Sequence, residues 1–285
     1  MSNPDRPHAA EWSPEQVRRY WNWLGRNPYN QATYFSFRVG RGVVRFLDAA
    51  GLLRGRVLDF GCGTGHLLKE LLGRGLDCFG ADSSDEAVAR VNKDFSAFSN
   101  WHGAERTDHF ATRHPNHFFD LIVCLETLEH LPPDSTAELF RELRRILKPG
   151  GKLFLTVPFA ENLERETIYC PFCQSLFHRW QHMNSFSGEK LETLIAAQGF
   201  RVELCDTIDF EQFQLDLSFP RLTLLNLSNL RLWLRFRARR ILDTLMPRPF
   251  PKNRSMQFLL GRSTHTHLFA IAGVVPAGAQ AAART

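Results

Sequence analysis

The chain of 285 residues is 44% hydrophobic with a formal net charge of +5, enough for a sizeable core in one large domain or two small ones. Its start, MSNPDRPHAAEWSPEQ, lacks the basic-then-apolar order of a secretory signal, and the late apolar stretch HLFAIAGVVPAGAQAAA is short of a bilayer span and broken by Pro276. A cytoplasmic location is expected, with no disulfide framework among the six cysteines.

Residues 1–50 read as an N-terminal helical cap, with Ser13 and Pro14 as N-cap and first-turn residues ahead of YWNWL and YFSFRVGRGVVRFL. The main domain is expected over 51–275. From Arg56 onward, short apolar runs alternate with amphipathic stretches: RVLDF, a helix from Thr64, LDCFGAD, a helix from Ser84, FFDLIVCL, a helix over 135–147, then GKLFLTVPF. That alternation predicts an α/β fold, a parallel sheet with helices on both faces. A capped helix, SGEKLETLIAAQGF, and a strand, RVELCDTIDF, follow. The strand pattern then stops until THLFAIAGVV, and residues 276–285 are expected to fray.

VLDFGCGTG, residues 57–65, runs a strand through Gly61, Gly63 and Gly65 into a helix. Glycines let the backbone turn sharply and approach a ligand, and the helix start offers unpaired N–H groups. Asp82, at the end of the next strand, is placed to accept hydrogen bonds from ribose hydroxyls. Asp59, just before the glycines, is a poor neighbour for pyrophosphate and suits a cationic group. The expected ligand therefore carries an amine and a ribose but no phosphates.

On these residues the sequence resembles the class I S-adenosylmethionine-dependent methyltransferases. VLDFGCGTGHLL is similar to their first cofactor motif, GADSSDEAV to the acidic end of the second strand, FFDLIVCLETLEHL to the fourth strand and its loop, and LRRILKPGGKLFLTVP to the following helix and strand. The resemblance covers roughly residues 40–210 plus the last strand. It implies a Rossmann-like fold with a mostly parallel seven-stranded sheet, and S-adenosyl-L-methionine as cofactor. Gly61, Cys62 and Gly63 would then line the methionine side, Asp59 would sit near its amino group, and Asp82 would hold the ribose. HGAE at 102–105 resembles the adenine-side loop without its usual residue order, which makes Ala104 and Glu105 the candidate contacts there.

The sulfonium methyl is already a strong electrophile, so the protein must align an acceptor and exclude water. Deprotonating the acceptor calls for a base or a metal. CLETLEHL offers Glu126, Glu129 and His130, three or four positions apart. Two carboxylates and an imidazole can supply a base, with His130 the first choice, or ligate a divalent ion. The resemblance accommodates both uses: some ubiquinone-pathway O-methyltransferases and small-RNA 3′-end 2′-O-methyltransferases carry a similar Glu-x-x-Glu-His with metal.

YCPFCQSLFHRWQHMNSF, residues 169–186, belongs to an insertion over 160–186 that follows the fifth strand, beside the carboxyl ends of the sheet. Cys170 and Cys173 in C-x-x-C, with His178 and His182 four residues apart, have the chelate spacing of a tetrahedral zinc site. His182 also resembles the final histidine of the metal site in the RNA-methylating relatives, and it cannot serve both; the remaining reading is that no metal binds and the two cysteines are a reduced pair on a surface hairpin. Either way the stretch is expected to form a lid over the acceptor pocket.

A second insertion, 211–262, is basic: from Arg221 to Arg254, nine lysines and arginines face Asp243 alone. Within it, residues 227–246 read as an amphipathic helix that docks on an anionic membrane face, packs on the core, or, with less support, binds nucleic acid. The expected activity is O-methylation of a small or lipid-like acceptor, in the cytoplasm or peripherally on the inner membrane face. The alternatives are metal-dependent RNA 2′-O-methylation and a catalytically silent cofactor-binding scaffold.

Overall fold

The computed structural model describes residues 8–10, 12–208, 210 and 267–275 of the chain. A short strand β1 (His8–Ala9) precedes helix α1 (Pro14–Arg26). The Ser13 hydroxyl accepts from the Gln16 amide while the Gln16 side chain accepts from the Ser13 amide, a reciprocal cap that fixes where α1 starts. After a 3-10 turn comes α2 (Phe35–Ala49), whose Val39, Val43, Val44, Phe46 and Leu47 are all buried. This half of the expected N-terminal cap is therefore one of the helices covering the sheet, and α1 alone lies at the cap position.

The alternating pattern then unfolds as β2 (Arg56–Phe60), α3 (His66–Leu72), β3 (Asp77–Asp82), α4 (Asp85–Asp94), β4 (Trp101–Arg106), β5 (Phe119–Leu125), α5 (Pro133–Ile146) and β6 (Leu147–Pro158), with β4 a strand where the sequence pointed to a loop and β6 starting at Leu147, before the Lys-Pro-Gly-Gly turn. Helix α3 starts two residues later than Thr64, because Gly65, at φ 81°, still belongs to the turn. A hairpin of β7 (Thr167–Tyr169) and β8 (Ser175–His178), then α6 (Gly188–Ala197), β9 (Phe200–Ile208) and β10 (His267–Val274), complete the described elements. The basic insertion 211–262, its 227–246 stretch and the expected tail 276–285 lie outside the described residues.

Seven strands form one sheet in the order β4-β3-β2-β5-β6-β10-β9. Only β10 is reversed, pairing antiparallel with both β6 and β9. Successive strand residues face opposite ways, so both faces are dry. Val57, Val123, Phe154 and Phe269 meet α2 and α3 on one side. Leu58, Ile122, Leu155 and Leu268 meet α5 and α6 on the other. The chain order reverses between β2 and β5, and such a switch point opens a crevice at the strands' carboxyl ends. A separate three-stranded sheet, β1-β8-β7, stands beside that crevice.

Candidate active site

The loop after β2 is pinned before any ligand arrives. Gly61 and Cys62 both donate backbone N–H groups to Ala81 O, at 2.8 and 3.1 Å. Gly61 has φ 80°, and a Cβ there would stand 2.8 Å from the Thr127 hydroxyl, so the turn requires glycine. A Cβ on Gly65 would meet the Phe95 ring at 2.6 Å, which brings the start of α3 close onto α4. The Gly63 amide donates to Asp82 Oδ2, and the Ser84 amide to Asp82 Oδ1, each at 2.8 Å. One carboxylate thus joins the glycine loop to the end of β3.

The two acids of this corner share an environment. Burial, with Asp82 adding repulsion, pushes the Asp59 carboxyl up to about 8. Burial raises Asp82 as well, against the lowering pull of its amide donors. Burial also carries the Cys62 thiol well above its ordinary range, so it lines the loop as a neutral group. Two buried carboxyls side by side favour a ligand with positive charge and hydroxyl donors. Asp59, Gly61, Cys62, Gly63, Gly65 and Asp82 are therefore gathered in one place.

Ala104 and Glu105 are placed differently from that expectation. Both lie within β4. The Ala104 methyl backs onto Gly80, whose added Cβ would sit 2.9 Å from it. Glu105 accepts the Arg113 amide at 3.1 Å and lies 3.2 Å from His114 Nε2. Its carboxylate is used in closing the loop ahead of β5 and does not face the glycine loop. Neighbouring residues of a strand point to opposite faces, so the two side chains diverge, and it is the Ala104 methyl that lies on the Cys62 side of Gly80.

Opposite the glycine loop, the carboxyl end of β5 delivers Glu126, and a 3-10 turn delivers Glu129 and His130. Glu126, at φ 46°, turns to accept from the Thr156 hydroxyl at 2.7 Å, and burial pushes its carboxyl up to about 8. Glu129 is 0% exposed, and neither of its carboxylate oxygens has a hydrogen-bond partner among the described residues. His130 Nε2 lies 3.8 Å from Glu129 Oε1, and its Nδ1 lies 3.3 Å from Gln181 O. A carbonyl only accepts, so Nδ1 carries the proton and Nε2 keeps its lone pair toward Glu129. Burial, helped by His182, holds the His130 imidazole at about 3, neutral at ordinary pH. A neutral imidazole so anchored offers its Nε2 lone pair, the form that either a metal ligand or a base requires.

His182 arrives from fifty residues away because two segments are stitched together. Met183 and Asn184 donate backbone N–H groups to Glu129 O at 2.7 and 3.1 Å. Asn184 Nδ2 donates to Leu131 O, and Trp21 Nε1 of α1 donates to the Gln181 side chain at 3.0 Å. Ligand atoms of Glu129, His130 and His182 then lie within 4.8 Å of one another. Glu126 is not in this set, since its carboxylate is turned to Thr156.

The tetrahedral grouping of Cys170, Cys173, His178 and His182 does not form. Thr167 pairs with His178 across the hairpin, whereas Cys170 and Cys173 sit in its turn, where Phe172 is 97% exposed. Three strand steps from Ser175 to His178 separate the turn from the histidine by about 10 Å. Cys173 Sγ contacts the Ser175 hydroxyl at 3.3 Å instead. His178 and His182 stack at 4.5 Å and both face Glu161, a carboxylate the sequence pattern did not single out. The other cysteines are buried thiols.

Two further parts were missed. Helix α1 closes the site, with Trp21 edge-on to His130 at 4.7 Å and Asn22 Oδ1 accepting from the Ser84 hydroxyl at 2.6 Å. Three non-glycine residues, Glu126, Ala160 and Gln181, adopt positive φ around the cluster, and such backbone strain concentrates at functional sites. No single residue in the sequence announces these features, since each depends on a distant partner. No helix among the described residues is long and apolar enough to cross a membrane.

Known proteins can be set beside this geometry. A family profile described as a methyltransferase domain matches residues 30–204. A ubiquinone biosynthesis O-methyltransferase of Thiobacillus denitrificans is 32% identical over 159 residues, covering 55% of this chain and 64% of the relative. One of Pseudomonas aeruginosa is 36% identical over 111 residues, 38% of this chain and 47% of the relative. The match thus spans less than two thirds of these relatives' length. A DhpI–SAH complex shares the fold with a TM-score of 0.55 at 16% identity, over 92% of this chain and 97% of that one. A Clostridium acetobutylicum S-adenosylmethionine-dependent methyltransferase does so with a TM-score of 0.53 at 12% identity, over 92% and 99%.

Proposed function

The chain belongs to the class I S-adenosylmethionine-dependent methyltransferases, and from that premise we propose that it methylates an oxygen of a small or lipid-like acceptor, at a site where Glu129, His130 and His182 hold a divalent cation. The observation that carries this reading is Glu129, a fully buried carboxylate whose two oxygens lack hydrogen-bond partners among the described residues, beside an imidazole Nε2. An unpaired buried acid is expensive, and a cation bound by it and two imidazoles removes the expense. An oxygen and nitrogen donor set of this kind suits Mg²⁺, Mn²⁺ or Zn²⁺. Bound there, the cation supplies a Lewis acid that favours the ionised form of an acceptor hydroxyl.

The remaining work falls to the chain's own groups. Asp59 receives the cofactor's amino group, Asp82 its ribose, and the Gly61–Gly65 loop passes close behind its methionine part. Trp21 of α1 and the 178–184 segment enclose the space between the glycine loop and Glu129, keeping water from the sulfonium and holding the acceptor oxygen in line with the methyl carbon. Similarity to ubiquinone biosynthesis O-methyltransferases supports oxygen as the methylated atom and a lipid-like acceptor.

The test supplies methyl-labelled S-adenosylmethionine and Mn²⁺ to a cell extract with the wild-type protein or Asp82→Ala, followed by partition of the products. Label in the organic or small-molecule fraction that disappears with Asp82→Ala or with EDTA is the expected result. Label in nucleic acid would replace the proposal with the RNA reading. Cofactor binding without any transfer would leave a scaffold.

A further inference from the structure

Glu161 lies just beyond β6, after Ala160, whose amide donates to Phe186 O at 2.9 Å and whose φ is 48°. Its two carboxylate oxygens reach different histidines: Oε2 lies 2.5 Å from His182 Nδ1 and Oε1 lies 3.4 Å from His178 Nε2. A carboxylate accepts, so His182 carries its proton on Nδ1 and leaves the lone pair on Nε2. His178 Nδ1 in turn faces the backbone N–H groups of Trp180 and His182, at 3.4 and 3.2 Å. Amides only donate, so His178 keeps its lone pair on Nδ1 and turns Nε2–H toward Glu161.

These contacts form a chain whose starting point cannot change protonation state. Two amides set His178, His178 presents Nε2 to Glu161 at 3.4 Å without a hydrogen bond, and Glu161 sets His182 through one. We propose that Glu161 is a positioning residue that selects the Nδ1–H tautomer of His182 and aims its Nε2 lone pair at the Glu129 and His130 pocket. Only what that lone pair then does, binding the cation, rests on the function proposed above. A carboxylate behind a ligating histidine fixes ring orientation and raises ligand basicity, and losing it typically costs roughly 10–100-fold in metal affinity.

Glu161, His178 and His182 also have ligand atoms within 4.8 Å of one another, the spacing of an independent metal site. The donors around His178 oppose that use. A metal on Nε2 would move the proton to Nδ1, against two amide N–H groups, and would leave both without an acceptor. The same spacing without that conflict follows from the His182–Glu161 hydrogen bond, with His178 Nε2 only facing Glu161 Oε1 at 3.4 Å and making no hydrogen bond among the described residues.

Long-range proton–nitrogen correlation spectra of the full-length 15N-labelled protein read the tautomer directly, with His182→Asn identifying the signal. The expected result is Nδ1–H for His182 in the wild type and in Glu161→Gln, whose amide oxygen still accepts, and a shift toward Nε2–H in Glu161→Ala. Mn²⁺ affinity should fall about tenfold or more in Glu161→Ala, with S-adenosylhomocysteine binding intact as the check on folding. An Nε2–H wild type, or an unchanged tautomer in Glu161→Ala, overturns the proposal. A tautomer shift in a protein that takes up no Mn²⁺ upholds Glu161 and overturns the cation instead.

Discussion

The Gly63 amide donates to Asp82 Oδ2 at 2.8 Å, so the acid proposed to receive the ribose also holds the glycine loop in shape. Asp82→Asn keeps one acceptor but loses the charge that strengthens bonds to hydroxyls. S-adenosylhomocysteine should bind about 10–100-fold more weakly, corresponding to the roughly 1.5–3 kcal/mol of a charge-assisted hydrogen bond. Isothermal titration measures this, and equal affinity in the variant would remove Asp82 from the cofactor site.

Asp59 makes cofactor binding pH-dependent. Burial and Asp82 lift its carboxyl to about 8 in the free protein, and the cofactor's ammonium group favours the ionised form. Below that value the free protein holds a proton that the complex releases, so raising the pH tightens binding. Affinity should rise up to about tenfold per pH unit between roughly pH 5 and 8. Titrations in buffers of different ionisation heat count the proton. Asp59→Asn should flatten the slope, and a wild-type slope already flat would count against this role.

The Glu129 carboxylate has no hydrogen-bond partner among the described residues, so Glu129→Gln removes a cost when no metal is present. In EDTA the variant should equal or exceed the wild type in stability, by about 1–3 kcal/mol, measured by urea unfolding. Added Mn²⁺ should raise the melting temperature of the wild type only. A variant that is less stable in EDTA would show that Glu129 has a structural partner.

Cys170 and Cys173 stand apart from the histidines. The Ser175 hydroxyl, with Cys170, draws the exposed Cys173 thiol below its ordinary range, whereas Cys62, Cys78, Cys124 and Cys205 are buried. Brief alkylation read by mass spectrometry should modify Cys173 before the buried four. The double variant Cys170→Ser/Cys173→Ser should keep the wild-type Mn²⁺ affinity. Loss of a bound ion in that variant would restore the cysteines to a metal site.

The glycine loop and its acids were legible in the sequence because one strand, one turn and one helix start carry them: Asp59, Gly61, Gly63 and Gly65 lie within seven residues, and Asp82 closes the next strand. The sheet was legible for a similar reason, since apolar runs such as RVLDF and FFDLIVCL report burial on both faces. The basic segment 227–246 lies outside the described residues.

The other half of the site was decided by tertiary structure. Residues 170–182 offer four good ligands in tetrahedral spacing, but spacing along a chain is not distance in space. The hairpin register sends the two cysteines to its exposed turn and leaves His178 at its base. Backbone hydrogen bonds from Met183 and Asn184 to Glu129, with side-chain bonds between Gln181 and His130 and from Asn184 to Leu131, then deliver His182 to Glu129 and His130, and bring Glu161 behind it. Sequence by itself determined the glycine turn and the acids at the two strand ends, because strand, turn and helix start follow one another along the chain. Only the fold decided which histidine meets which carboxylate, because those contacts join segments twenty to fifty residues apart.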